Sequence, residues 1–150
     1  IRFRRMSYSI GAVAAVFHDV LIVLALFSIF YGRLPFSLEI DQAFIAAILT
    51  VIGYSLNDTV VVFDRVREYF GIKSGSREQI VNAALNSTLS RTINTSLTTF
   101  FVLLIIFLFG GEVIRGFMFA LMIGVVVGTY SSLFIATPIM VDTLKNDSEE

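Results

Sequence analysis

Three sets of ionisable residues lie inside runs that are otherwise apolar. Asp58 follows Asn57 in a stretch uncharged from Gln42 to Asn57 and again from Thr59 to Phe63. Arg91 opens a second apolar run, and His18 and Asp19 stand together midway along a third. An ionisable group at membrane depth is costly, so it faces a protein interior or a water path and marks proton or ion movement by default. Desolvation favours the neutral carboxyl and a nearby guanidinium favours the carboxylate, which makes Asp58 the best candidate proton carrier. Arg91 stays protonated, so it can serve only as a counter-ion. Protonating Asp58 in an Asp58–Arg91 pair would leave a buried positive charge, a penalty of several kcal/mol that can drive a helix rearrangement. Each group also has a plainer reading. Arg91 can snorkel to the headgroups, Asp58 can bond neighbouring helices, and Asp19 can cap or bond an adjacent helix with His18 as its partner. Asp64, Arg65, Arg67 and Glu68 read as an interfacial charge cluster. Asn57, Asn94, Thr95 and Thr98 are candidate polar neighbours, with the threonines also read as packing hydroxyls.

The elements that carry these residues follow from composition. Of 150 residues, 56% are apolar and 15% charged, against about 25% charged in a soluble domain, and the mean hydropathy is +0.83. That excludes a disordered chain and argues against a water-soluble globule. With no cysteine and one histidine, no disulfide, thiolate or His-rich metal site is expected. A net charge of −1 gives no field for nucleic acid, and no cofactor motif or covalent chemistry is seen. A bilayer core about 30 Å thick needs about 20 apolar helical residues. Residues 7–31, 43–63, 91–109 and 116–140 meet that need, so the expected class is an all-α polytopic membrane bundle of four spanning helices. The first is too long for a signal peptide and carries His18 and Asp19.

Lys and Arg set the expected orientation. Arg2, Arg4, Arg5, Arg65, Arg67, Lys73, Arg77 and Lys145 fall on one side; only Arg33 and Arg115 fall on the other. Both ends and residues 64–90 are then cytoplasmic, and 32–42 and 110–115 are periplasmic. Within 64–90, Ser76 with Gln79 fits a capping box, and Ile80, Val81, Ala84, Leu85, Thr88 and Leu89 share a helical face. This predicts a short amphipathic helix over about 76–89 on the inner membrane surface, or a plain connector. Residues 1–6 read as the end of a preceding transmembrane helix and 141–150 as a cytoplasmic tail with an acidic, frayed end. Gly116, Ala120, Gly124, Gly128, Ser132 and Ala136 recur every fourth position. Such small-residue stripes let helix backbones approach, and this one is expected to pack, or slide, against a partner half. Span two has a similar face through Ala43, Ala46, Thr50, Gly53 and Asn57.

The segment Gly53-Tyr54-Ser55-Leu56-Asn57-Asp58-Thr59-Val60-Val61-Val62-Phe63-Asp64-Arg65-Val66-Arg67-Glu68 closely resembles the signature of the SecF family of bacterial protein export. Four further segments resemble it in order: Phe17-His18-Asp19-Val20-Leu21-Ile22; Leu89-Ser90-Arg91-Thr92 with Thr95-Ser96-Leu97-Thr98-Thr99; Leu108-Phe109-Gly110-Gly111; and Ile123 to Ser132. The resemblance implies a protein of the resistance-nodulation-division superfamily in the inner membrane, using the proton-motive force to support preprotein translocation. It implies SecD, separate or fused, and the SecYEG channel as partners, with YajC and YidC as further ones. By motif match Asp58 corresponds to the family's intramembrane proton-relay aspartate and Arg91 to its functional arginine. The family has six spanning helices with a periplasmic domain between the first two; this chain matches the last four and the tip of the second, a fragment of a six-helix half. Two other functions fit the residues: a proton-driven exporter of lipids or small solutes, and a membrane scaffold without proton traffic.

Overall fold

The computed structural model describes residues 6–146; the expected tip of a preceding helix and the acidic end fall almost wholly outside that range. The described residues form five α-helices: α1 (Met6–Phe30), α2 (Gln42–Ile72), α3 (Arg77–Phe109), α4 (Glu112–Ser131) and α5 (Thr137–Asn146). A π-helical segment, Ser132–Ala136, joins the last two. Among the described residues, four helical stretches, with α4 to α5 taken as one, are long and apolar enough to cross a membrane.

Local chemistry sets the boundaries. After α1 the chain reverses at Gly32, whose φ of 68° suits a residue without a side chain. Asp41 caps α2 by accepting from the Phe44 N–H at 2.8 Å. The predicted capping box forms at α3: Ser76 and Gln79 each accept from the other's backbone N–H at 3.3 Å. α3 then runs unbroken to Phe109 because Arg77–Phe109 holds neither Gly nor Pro. The short amphipathic helix expected over about 76–89, leading into span three, is the first part of one 33-residue helix. Part of its apolar face is buried inside the chain. Val81 and Ala84 join the core formed by Val62, Val66, Leu133 and Met140. Pro138 explains the π segment. It offers no N–H, and its ring crowds the carbonyl four residues earlier, so the helix widens locally. Thr137 Oγ1 donates to the Ser132 carbonyl at 3.0 Å across the wide turn.

α4 packs on α1, α2 and α3. Its stripe of small residues makes that possible, but inside the chain rather than against a partner half. A Cβ on Gly124 would overlap the Val51 methyls, one on Gly128 would sit 3.1 Å from Ser55 Cβ, and one on Gly116 would meet the Ser37 carbonyl at 2.6 Å. Ala120, Ser132 and Ala136 are fully buried. The second small-residue face behaves oppositely: Ala43, Ala46, Thr50, Gly53 and Asn57 are all exposed. Phe44, Ala47, Val51, Ser55 and Asp58 form the buried side of α2.

The core has two apolar layers. Val23, Phe27, Leu38, Phe44, Ala47, Val51, Ala120 and Leu121 form one. Tyr8, Ala12, Ala15, Val62, Phe63, Val66, Leu133 and Met140, with others, form the second, nearer the α2–α3 turn. Along α1, α2 and α4 a polar belt separates them: Asp19 between Ala15 and Val23, Ser55, Asp58 and Thr59 between Val51 and Val62, and Ser131 and Ser132 before Leu133.

Candidate functional site

Asp58 sits in this belt, 7% exposed, and its Oδ2 is buried without a hydrogen-bond partner. Thr59 beside it is 1% exposed, and its hydroxyl is likewise unpartnered. Buried polar groups are normally satisfied, so two orphan oxygens on one helical turn mark this position as exceptional. A carboxyl held this way can gain or lose a proton with little competition from fixed donors.

Arg91 lies at the same level. Asp58 precedes the end of α2, and Arg91 follows the start of α3, by 14 residues each, about 21 Å along either helix at about 1.5 Å per residue. No ion pair within 4.0 Å joins them, and Arg91 is exposed on the outer face of α3. The expected close pair is thus absent, because the two residues share a depth but not a face. Asn94, Thr95 and Thr98 share that outer face. The threonine hydroxyls turn back on their own helix: Thr95 donates to the Arg91 carbonyl at 3.0 Å and Thr98 to that of Asn94 at 2.5 Å. Asn57 is also exposed, so none of these four is buried with Asp58.

Asp19 is fully buried and its partners are plain. Its Oδ2 accepts from Ser55 Oγ at 2.5 Å and from Ser131 Oγ at 2.8 Å. Its Oδ1 lies 3.1 Å from His18 Nδ1, on a ring that is about one-third exposed, 32%. One carboxyl therefore ties α1 to α2 and to the end of α4. A second polar contact joins α2, α3 and α4: Tyr54 donates to Ser96 at 3.3 Å, and Ser96 and Thr129 share a bond of 2.5 Å. Ser55, Ser131, Thr59, Tyr54, Ser96 and Thr129 were not singled out from sequence. The signal was there for Ser55, which precedes Asp58 by three residues and so shares its face. Nearer the turn, Arg65 pairs with Glu68 at 2.7 Å and donates to Ser87 of α3 at 3.0 Å.

Residues 1–146 match the family model described as "Protein export membrane protein SecD/SecF, C-terminal". The chain belongs to this SecD/SecF family. It is 62% identical over 143 residues to the protein translocase subunit SecF of Rhodothermus marinus, covering 95% of this chain and 46% of that one. It is 47% identical to the SecF of Petrotoga mobilis, covering 97% and 46%. The chain thus spans about half the length of the SecF relatives it matches. The fold agrees with solved SecDF structures. One, in a super-membrane-facing form, aligns with a TM-score of 0.86 at 38% identity, covering 95% of this chain and 19% of that one. SecDF from Thermus thermophilus gives 0.80 at 40%, covering 93% and 19%. The all-α membrane bundle and the SecF resemblance are therefore both established.

Proposed function

We propose that this chain is the C-terminal membrane part of a SecF subunit that supports preprotein translocation across the bacterial inner membrane. In this reading it works with SecD and the SecYEG channel, and Asp58 takes up and releases the driving proton. The observation that carries the reading is the unpartnered, buried Asp58 carboxyl in the polar belt of α2. Arg91 acts as its charge partner once the missing half packs against α3. Support for such a half comes from what this chain leaves outward. Arg91 and Asn94 are exposed where α3 enters its apolar span, and the small-residue face of α2 is uncovered. A carboxylate with Arg91 nearby is held in place; when protonated it releases that charge, and the helices re-pack to satisfy it. One proton crossing 100 mV supplies about 2.3 kcal/mol, so a large conformational stroke draws on several protons or on a pH gradient as well.

The test uses a full-length subunit carrying this sequence, assembled with SecD in inner-membrane vesicles. Asp58→Asn is expected to abolish the part of translocation that an uncoupler removes, with normal complex yield. Arg91→Met is expected to reduce it strongly. Wild-type gradient dependence in both variants would end the relay reading and leave a scaffold.

A further inference from the structure

The polar belt contains a second buried carboxyl that the relay does not use, and its geometry is more determined than that of Asp58. Asp19 Oδ2 receives two hydroxyl donors from two different helices, Ser55 of α2 and Ser131 at the end of α4. Three further features bear on what this does. Ser55 precedes Asp58 by three residues on the buried face of α2, so anything that fixes Ser55 fixes the turn that carries Asp58. Gly128 lets α4 approach there, since a Cβ would lie 3.1 Å from Ser55 Cβ. Ser131 is the last α-helical residue before the π segment, the one place where this long helix departs from regular winding.

We infer that Asp19 is a positioning residue for Asp58: its carboxyl, by accepting from Ser55 and Ser131, sets the register of α2 against α1 and the π-bulged helix. The inference rests on the relay reading of Asp58. What the knot requires is an acceptor at the Oδ2 position, not a charge. Both serines use the same oxygen, and the other oxygen only faces His18 Nδ1. An asparagine fits that pattern. Its carbonyl oxygen can accept from both hydroxyls, and its amide can donate to an unprotonated His18 Nδ1. A proton-storing role would make the opposite demand, because asparagine does not titrate.

The test again uses the full-length subunit with SecD in inner-membrane vesicles, and reads the uncoupler-sensitive part of translocation. Asp19→Ala is expected to lower it about 10-fold or more, the scale of a small misplacement of a reacting group. Asp19→Asn is expected to stay within about 2-fold of wild type, because it keeps the acceptor. Ser55→Ala is expected to lower the rate in the wild-type background and to add little to Asp19→Ala, since the two then remove one interaction. If Asp19→Ala fails to assemble, the double variant Ser55→Ala/Ser131→Ala removes the donors alone and is expected to show the same loss. Equal loss in Asp19→Asn and Asp19→Ala would overturn positioning in favour of charge. A wild-type rate in Asp19→Ala, or in the double serine variant, would overturn it outright. Asp58→Asn run in parallel separates the two readings: if it loses the gradient-driven part while Asp19→Ala keeps it, only the positioning role fails.

Discussion

Asp58 and Thr59 occupy the same buried turn, yet their orphan oxygens have different consequences. A carboxyl without fixed donors is open to a proton. A hydroxyl without a partner is simply costly, by about 1–3 kcal/mol when fully desolvated. Thr59→Val keeps the shape and removes the orphan Oγ1. It is expected to leave thermal stability of the purified subunit unchanged or raise it by about 1 kcal/mol, read from detergent-solubilised melting curves. A clear loss of stability would mean that the hydroxyl has a bonded partner within the subunit. At this scale the sequence exposed the charged members of the site and hid the neutral ones. Asp58, Asp19 and Arg91 stand out because a charge inside an apolar run is rare. Ser55 and Ser131 do not, because serine is ordinary in membrane helices and its role depends on which helix it meets. The absence of an Asp58–Arg91 contact was equally hidden, since depth follows from counting residues whereas facing depends on how α2 and α3 are rotated.

The helices repeat that lesson. Spans and the α3 capping box were readable because apolar length and Ser76 with Gln79 act locally. Two stripes of small residues were also readable, but not which one packs inside. Gly124 meets Val51, and Gly53 has nothing near it. The difference is set by neighbours distant in sequence. The two glycines should therefore respond in opposite ways. Gly124→Leu forces α4 off α2 and is expected to cost about 1–3 kcal/mol as overpacking, lowering the melting temperature of the subunit. Gly53→Leu places its side chain in open space and is expected to change the subunit's own stability by no more than about 0.5 kcal/mol. If the exposed face of α2 seats SecD, Gly53→Leu should instead reduce the SecD that co-purifies. Equal effects of the two substitutions on subunit stability would show that the faces are not distinguished in this way.

At the scale of the whole molecule, the α2–α3 hairpin is longer than a membrane requires. α2 has 31 residues and α3 has 33, about 46 and 50 Å at about 1.5 Å per residue, against a hydrocarbon core of about 30 Å. The excess lies at the turn, because that end carries Arg65, Arg67, Glu68, Lys73 and Arg77, which the core cannot hold. The opposite end carries Glu39, Asp41 and Glu112 with only Arg33 and Arg115. Basic residues are retained on the cytoplasmic side during insertion, so the hairpin tip is expected in the cytoplasm and the α3–α4 turn in the periplasm. With no cysteine in this sequence, single substitutions report this directly once any others in the full-length subunit are removed. Gly75→Cys is expected to react with a membrane-impermeant maleimide in inverted vesicles and not in intact spheroplasts. Gly111→Cys is expected to show the reverse. The opposite pattern would place the α2–α3 turn in the periplasm. Asp58, in the turn-side half of α2, would then take its proton from the side nearer the incoming gradient.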